Sequence, residues 1–321
     1  MKRDSLIKYL DYFYVTRPML FFPGWSTLLI GYWAALGDHD WFTRLLDGRY
    51  DVYWLPGDAI WMMVAFAAAM GGSFILNQLQ DVETDQKNKK LFLIGGNYLS
   101  QQAAAAESAL LLAVSVLFAF KFGLVVTALI LLFNIITGYM YNYPPFQYKN
   151  RAIPGLILNM LMGWIAFALG WGVLKAVNLQ FLIVSLPYLL FNTALYFLTT
   201  VPDYHGDRES NKITVCVRFG PERTMKYAVY LSALALVAAA LNRDQVALFI
   251  VLASLPHVIA LWRKPHTANA IRLVKMGIFY FAVATCFKFP LFFLLMVSIF
   301  FLTRYYYKKR FNYDYPNFKG E

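Results

Sequence analysis

Charged residues are scarce in this chain. They make up 15% of its 321 residues, whereas hydrophobic residues make up 60%. Soluble domains usually contain about 25% charged and about 45–50% apolar residues, so the composition argues against a water-soluble fold and indicates a protein that lies in lipid. No low-complexity tract or Ser/Gly-rich linker interrupts the sequence. We therefore expect residues 1–321 to form a single transmembrane domain.

Cysteine and histidine are also rare, with two and four residues respectively. Cys216 and Cys286 lack the short spacing of a metal-binding pair, and the histidines form no cluster of ligands, which argues against zinc. The net charge of +11 could suggest nucleic acid, but the basic residues lie in short loops between apolar runs. That distribution is typical of membrane proteins, so we expect a lipid bilayer and no nucleic acid as partner.

Long apolar runs recur along the whole chain and predict transmembrane helices. A crossing helix needs about 20 apolar residues, and these runs do not alternate over about 10 residues as the strands of a barrel would. We therefore expect an all-α, polytopic bundle. The runs are 19–36, 58–80, 103–120, 123–141, 154–174, 180–201, 226–241, 245–262 and 272–303.

The last run leaves two alternatives open. As one helix, 272–303 would exceed the hydrocarbon core at about 1.5 Å per residue, and Pro290 could divide it into two shorter helices. The chain would then have ten transmembrane helices instead of nine, and its basic C-terminal tail would return to the side of the N-terminus. The charge distribution favours this second alternative.

The distribution of Lys and Arg predicts the orientation of the helices. Cytoplasmic loops carry an excess of both residues, and here the excess falls on the N-terminal segment and on the loops after the second, fourth, sixth and eighth runs. We therefore expect the N-terminus and these loops to face the cytoplasm, in the cytoplasmic membrane if the organism is prokaryotic.

Two acidic motifs end the second and sixth runs. Asn77, Asp81 and Asp85 are spaced four residues apart, which places them on one face of a helix, and Asp203 and Asp207 repeat the same spacing. Four crossings separate the motifs, so both should emerge at the cytoplasmic side. A single Asp at a helix end is usually a solvated cap, but two such pairs on one side favour a function.

Carboxylates gathered on one membrane face repel one another unless a cation lies between them. Mg²⁺ prefers oxygen ligands and is commonly bound by a few carboxylates together with substrate phosphates. Basic side chains nearby could complement phosphate oxygens, although they also fit the orientation rule. The candidates are Lys90, Lys149, Arg151 and Lys212.

The motifs resemble the paired signatures of the UbiA superfamily of intramembrane prenyltransferases. The stretch from Gly206 to Gly220 is similar to the family's sequence after its second motif, Tyr141 to Lys149 to its loop after the fourth helix, and Arg17-Pro18 to its entry to the first helix. Lys89-Lys90 departs from the Arg-Pro pair of many members. The family's usual nine helices favour a single final helix.

The resemblance implies a helical bundle around a central cavity and an alkyl-transfer reaction. It implies two Mg²⁺ ions held by Asp81, Asp85, Asp203 and Asp207 with help from Asn77. A polyprenyl group would move from its diphosphate to a lipophilic acceptor with release of diphosphate. Besides the four basic candidates, Arg17 would contact the diphosphate.

Loss of diphosphate leaves an allylic cation, which needs electron-rich walls. The rings of Tyr139, Tyr141 and Tyr196 could attract it, although tyrosines also form the interfacial belt of membrane proteins. Asn159 and Asn192 lie within apolar runs and would either face the substrate or bond a neighbouring helix.

No residue in the sequence identifies the acceptor. A hydroxylated aromatic acid of a quinone pathway is the family's most common acceptor, and a glycerophosphate ether lipid or a tetrapyrrole are alternatives. A transporter is a rival from another class, but transporter sites usually lie at the midplane, whereas these acids lie at helix ends. A phosphotransferase acting on lipid diphosphates is a closer rival.

Overall fold

The computed structural model describes residues 7–37, 40–82 and 93–316, and in these ranges the chain is helical with no sheet. One isolated bridge joins Arg151 to Ile213. The helices are α1 (Leu10–Val15), α2 (Phe21–Leu36), α3 (Trp41–Leu46), α4 (Gly57–Gln80), α5 (Gln101–Ala119), α6 (Leu124–Phe133), α7 (Ala152–Gly172), α8 (Leu179–Thr199), α9 (Tyr204–Glu209), α10 (Val215–Phe219), α11 (Pro221–Leu241), α12 (Gln245–Arg263), α13 (Thr267–Lys288) and α14 (Pro290–Phe311).

Nine helical segments of the described chain are long and apolar enough to cross a membrane. A further apolar segment, Leu124–Met140, is shorter; it consists of α6 and the π-helix Asn134–Met140 that continues it. The prediction of an all-α, polytopic membrane bundle is therefore confirmed. The tract 272–303 is divided: α13 ends at Lys288 and α14 begins at Pro290, a first-turn position where the missing N–H of proline costs no helical hydrogen bond.

The described chain begins and finishes at the same end of the bundle. Asp11 of α1 accepts hydrogen bonds from Tyr306 (Oη–Oδ1 2.6 Å) and Arg310 (Nη2–Oδ2 3.1 Å) of α14. An even number of passes returns a chain to its starting end, so Leu124–Met140 counts as a tenth pass among the described residues. This agrees with the alternative that the charge distribution favours.

Two glycines let α2 and α7 pack closely. A Cβ atom at Gly31 would collide with the carbonyl oxygen of Phe167, and one at Gly170 would collide with that of Leu28. Small residues at such crossings allow helix backbones to approach each other in membrane proteins. This contact fixes the positions of α2 and α7 relative to each other on one side of the bundle's centre.

A cavity of about 500 Å³ lies in the middle of the bundle. Its walls come from α2, α4, α6 with its π-helix, α7, α8 and α13. The prediction of helices around a central cavity is confirmed. The polar part of the lining includes Asn77, Asn159, Asn192 and Tyr196.

Candidate active site

The first acidic motif lies at the end of α4. The helix ends at Gln80, and Asp81 follows as its C-cap with its N–H bonded to the carbonyl of Asn77 (3.1 Å). Because this is the helical i→i−4 bond, Asp81 stays one turn beyond Asn77, as the spacing predicts. Asp85 and Lys90 lie outside the described residues, so their roles stay predictions.

The second acidic motif surrounds the short helix α9. Asp203 is its N-cap, and the N–H of Asp207 bonds to the carbonyl of Asp203 (2.8 Å). Burial raises the pKa of the Asp207 carboxyl; the nearby hydroxyl of Thr214 lowers this pKa, the charge of Asp203 raises it and that of Lys212 lowers it. The two carboxylates therefore lie close enough to repel each other, which is the arrangement that a bound cation relieves.

Tyr141 connects the two motifs. Burial raises the pKa of its phenol, a hydrogen bond from Asn159 lowers it, and the charges of Asp81 and Asp207 both raise it. One hydroxyl therefore lies within electrostatic range of a carboxylate from each motif. Asn77 near the end of α4 and Thr199 at the end of α8 line the cavity, so the acids that follow these helix ends lie at one rim of it.

The loop after the π-helix bridges this rim. Lys149 donates to both carboxylate oxygens of Asp81 (2.7 and 2.9 Å), and the backbone N–H of Ile213 donates to the carbonyl of Asn150 (3.1 Å). The preceding residue, Lys212, donates its backbone N–H to the carbonyl of Asp207 (2.8 Å). A continuous set of contacts thus runs from the first acidic motif through the loop to the second.

A polar network holds Asn77 in place, and the sequence did not predict it. Nδ2 of Asn77 donates to Oδ1 of Asn142 (2.6 Å), and Nδ2 of Asn142 donates to the carbonyl of Thr137 in the π-helix (2.8 Å). Asn142 is 1% exposed. Since Asn77 uses its amide nitrogen in this bond, its amide oxygen remains the atom available as a ligand.

The other predicted contacts fall into two groups. Arg17, Tyr141, Asn159, Asn192 and Tyr196 line the cavity. Tyr139 and Arg151 are not among the lining residues: Tyr139 is 48% exposed and donates to the carbonyl of Pro144 (3.3 Å), and Arg151 donates to that of Pro145 (3.1 Å). The structure therefore does not bring these two side chains to the cavity.

Arg17 has an unusual backbone at the cavity rim. Its φ of 55° lies in the left-handed region, and Pro18 follows it. Non-glycine residues in this region cost about 1–3 kcal/mol and persist where the surrounding structure imposes them, often at functional sites. The backbone between α1 and α2 turns here so that Arg17 lines the cavity.

The residues of the rim suit a hard divalent cation. Asn77, Asp81, Asp203 and Asp207 offer only oxygen ligands, which Mg²⁺ prefers. The described residues contain no group of three His, Cys, Asp or Glu side chains that could hold a metal ion alone. Mg²⁺ usually binds through one or two carboxylates together with waters and substrate phosphates. The two separate carboxylate sets therefore suit an ion that also binds substrate phosphate better than they suit an ion enclosed by protein ligands alone.

Comparison with known proteins identifies the sequence family. A family model described as UbiA prenyltransferase family matches residues 24–275. The chain is 26% identical over 177 residues to "Probable homogentisate phytyltransferase 2, chloroplastic" of Oryza sativa subsp. japonica, an alignment that covers 52% of this chain and 46% of that protein. The chain thus spans about half the length of the curated relative that it matches.

Solved structures show the same fold. A UbiA homolog from Archaeoglobus fulgidus bound to GPP and Mg²⁺ matches with a TM-score of 0.64 and 20% identity, over 87% of this chain and 99% of that chain. A structure described as digeranylgeranylglyceryl phosphate synthase in membranes matches with a TM-score of 0.62 and 17% identity, over 87% and 98%. Neither α1 nor α14 falls within the residues that the family model matches.

Proposed function

The chain belongs to the UbiA prenyltransferase family, and on that premise we propose that it transfers a polyprenyl group from a prenyl diphosphate to a lipophilic acceptor and releases diphosphate. The observation that carries the proposal is the set of contacts that joins the two motifs: Lys149 donates to Asp81, the neighbouring Asn150 accepts from Ile213, and Lys212 donates its N–H to the carbonyl of Asp207. It supports a single rim where both motifs act on one diphosphate. We further propose that residues 1–321 act as one domain.

The rim would hold the diphosphate end of the donor. We assign two Mg²⁺ ions to Asp81, Asp85, Asp203 and Asp207, with the amide oxygen of Asn77 assisting. When bound, these ions would neutralise the negative charge that develops on the leaving diphosphate. Lys149 already contacts Asp81, so its ammonium lies where it can donate to a phosphate oxygen. Arg17, Lys212, Lys90 and Arg151 are the remaining candidates for this clamp.

The cavity below the rim would hold the reacting carbon. Tyr141 and Tyr196 line it, and their ring faces would stabilise the allylic cation left after diphosphate departs. Asn159 lies beside the hydroxyl of Tyr141, and its Nδ2 donates to the carbonyl of Gly155 (2.8 Å). We propose that Asn159 and Asn192 orient these walls. Tyr139 stays a weaker candidate because it lies outside the lining.

An apolar groove next to the cavity supports a lateral route for the donor tail. The groove has a volume of about 790 Å³ and is lined by side chains of α13, of α14 and of the segment before and at the start of α2. On α13, Val274 and Ile278 line the cavity, and Ala282 and Cys286 continue the same helical face into the groove. We propose that the distal isoprene units follow this face towards lipid.

We propose a hydroxylated aromatic acceptor of a quinone pathway. The curated relative is named for homogentisate, a hydroxylated aromatic acid, which supports this choice. A glycerophosphate ether lipid is the alternative, because one structure of the same fold is described as digeranylgeranylglyceryl phosphate synthase. A tetrapyrrole is the third acceptor to test.

The proposal also includes an orientation. The acidic motifs, α1 and the end of α14 lie at one end of the bundle, which also carries the basic loops around Lys149 and Lys212. The positive-inside rule then assigns this end to the cytoplasm. Labelling of single cysteines introduced at exposed positions such as Glu209 would test the assignment, since only cytoplasmic positions should resist an impermeant reagent added outside intact cells.

The activity is tested with purified protein, Mg²⁺ and radiolabelled geranylgeranyl diphosphate. Acceptors are homogentisate, a glycerophosphate ether lipid and a tetrapyrrole, offered separately. We expect free diphosphate and a prenylated aromatic product. Inorganic phosphate or a phospho-alcohol would indicate the phosphotransferase instead. Uptake of the unaltered donor into proteoliposomes, with no product, would indicate a transporter.

A further inference from the structure

Among the described residues, the first helix (α1) and the last helix (α14) meet in a contact that the catalytic proposal does not use. Asp11 is 2% exposed and accepts hydrogen bonds from Tyr306 and from two nitrogens of Arg310 (Nε–Oδ1 3.2 Å, Nη2–Oδ2 3.1 Å). The rings of Tyr14 and Tyr306 stack with centroids 3.8 Å apart. We call Asp11, Tyr14, Tyr306 and Arg310 the terminal clasp. A bidentate Arg–carboxylate pair has a defined geometry as well as charge.

The terminal clasp is connected to the cavity rim through α1. The N–H of Arg17 donates to the carbonyl of Tyr14 (3.1 Å), so the residue that stacks on α14 also fixes the left-handed turn at Arg17. Tyr14 in turn stacks on Tyr306 of α14. The position of Arg17 in the cavity therefore depends on helices from both ends of the chain.

A second connection reaches the first acidic motif. Nε2 of Gln78 donates to the carbonyl of Val15 (2.8 Å), and Gln78 is 3% exposed. Gln78 stands between Asn77 and Asp81 on α4. The Gln78–Val15 bond thus holds α1, which carries two clasp residues, against the last turn of the helix that ends in the motif.

A third connection reaches the loop that follows the motif. Tyr98 lies under the guanidinium of Arg310 (5.0 Å to the ring centroid) and packs on Phe311 (4.8 Å between centroids). Leu93, Ile94 and Leu99 share a buried apolar cluster with Tyr14 and Tyr306. The described part of this loop is therefore packed against the clasp.

We propose that Asp11 and Arg310 are positioning residues for donor binding: their partly buried ion pair holds Arg17 and the end of α4 at the cavity rim in the geometry that receives the diphosphate. Both residues lie outside the matched family region 24–275. The inference rests on the proposed function. It adds the requirement that α1 and α14 be joined by the terminal clasp for normal binding of the donor.

The test uses three clasp variants: Asp11→Asn, Arg310→Gln and the double variant that carries both changes. Each is compared with the control variant Asp314→Asn. Asp314 forms an exposed ion pair with Arg304 in the same C-terminal segment (3.0 Å), so it is a matched control for loss of charge. The full-length proteins are assayed for KM of geranylgeranyl diphosphate, KM of the acceptor, kcat, binding of inorganic diphosphate with Mg²⁺, and thermal unfolding.

A misplacement of about 1 Å remote from the chemistry can cost about 100-fold in rate, so we expect kcat/KM for the donor to fall by about 10- to 100-fold in both single variants. The acceptor KM should stay within about twofold of wild type, and Asp314→Asn should match wild type. Because the pair acts as a unit, the double variant should lose no more than either single variant. Binding of inorganic diphosphate should weaken in parallel.

Two results would overturn the inference. One is unchanged diphosphate binding and donor KM in folded Asp11 and Arg310 variants; the other is an equal loss in Asp314→Asn. Tyr306→Phe, which removes one hydrogen bond to Asp11 and keeps the stacked ring, gives a milder variant if the charge changes prevent folding, and it should raise the donor KM by a smaller factor. A further outcome is that wild-type protein binds diphosphate more tightly than the clasp variants and yet transfers no prenyl group. That result would reject the proposed function and leave the inference about the clasp standing.

Discussion

Asn77 and Asn142, 65 positions apart in the chain, form a side-chain hydrogen bond of 2.6 Å at the rim of the cavity. The bond joins the last turn of α4 to the loop that follows the π-helix. Short π-helices within α-helical segments, such as Asn134–Met140, occur frequently at functional sites. Here the π-helix supplies the carbonyls that hold Asn142, so it fixes the orientation of a proposed metal ligand.

Asn142→Ala is expected to weaken Mg²⁺ use. The amide of Asn77 would lose its partner and rotate, so its oxygen would no longer point consistently towards the rim. Loss of a partner beside a metal ligand typically costs about 10- to 100-fold in metal affinity or activity. The measurement is the Mg²⁺ concentration that gives half-maximal diphosphate release. Asn242→Ala, which removes a bond to the carbonyl of Ile183 at the opposite end, should leave this value unchanged.

Asp81→Asn and Asp207→Asn are expected to abolish turnover while insertion and expression remain near normal. Each change removes a negative charge from one of the two proposed metal sets. Glu209→Gln is the matched control, because Glu209 is an exposed carboxylate on the same short helix as Asp207. Diphosphate release measured in the same membranes decides the outcome. Full activity of either Asp variant would show that the assignment of metal ligands is wrong.

Lys149→Met is expected to raise the donor KM. The side chain is 12% exposed and contacts both oxygens of Asp81, so the change removes a phosphate donor and also leaves Asp81 unpaired. Charged hydrogen bonds contribute about 1.5–3 kcal/mol, which corresponds to at least a tenfold change. Lys226→Met removes an exposed ion pair to Glu222 and serves as control. Equal KM values in the two variants would contradict the diphosphate clamp.

Ala282→Trp is expected to discriminate between short and long donors. The indole would fill the groove beyond Ile278 and obstruct the distal isoprene units, so kcat/KM should fall about tenfold, or about 1.4 kcal/mol, for geranylgeranyl diphosphate and much less for geranyl diphosphate. Ala109→Trp places the same side chain on an exposed face of α5. Equal effects on both donors would exclude the groove as the tail site.

Gly170→Ala is expected to destabilise the bundle. The added methyl group would collide with the carbonyl of Leu28 and force α2 and α7 apart, and overpacking of this kind typically costs about 1–3 kcal/mol. Gly163→Ala on the same helix meets only an ordinary contact of 3.6 Å to Asn192. Thermal unfolding in detergent should show a lower midpoint for Gly170→Ala alone.

The spacing rules predicted those features that one helix decides by itself. Asn77 and Asp81 share a face because a helical hydrogen bond joins them, and Asp203 and Asp207 repeat this geometry over one short helix. The apolar runs predicted the crossings for the same local reason, and the resemblance to the UbiA family is confirmed. The break at Pro290 was visible in the sequence, although the family's usual number of helices argued against it.

The features that escaped prediction depend on contacts between distant segments. Nothing near Asn142 indicates that it will meet Asn77, and nothing near Asp11 indicates Arg310. Tyr139 lies in the π-helix and Tyr141 directly follows its end, and their side chains face different surroundings: Tyr141 lines the cavity, whereas Tyr139 is 48% exposed. Helix periodicity separates such residues, but only the packing of the bundle decides which one faces inward.

The 299 positions that separate Asp11 from Arg310 have a consequence for biosynthesis. The ribosome releases α1 long before α14, so the segment that contacts Arg17 must wait for its partner until the helices between them have been inserted. Contacts between such remote segments form slowly, because the closing of long loops costs entropy before any contact is gained. The rim proposed to receive the diphosphate is therefore completed only after α14 has been inserted, and nascent chains that stop before Pro290 should lack it.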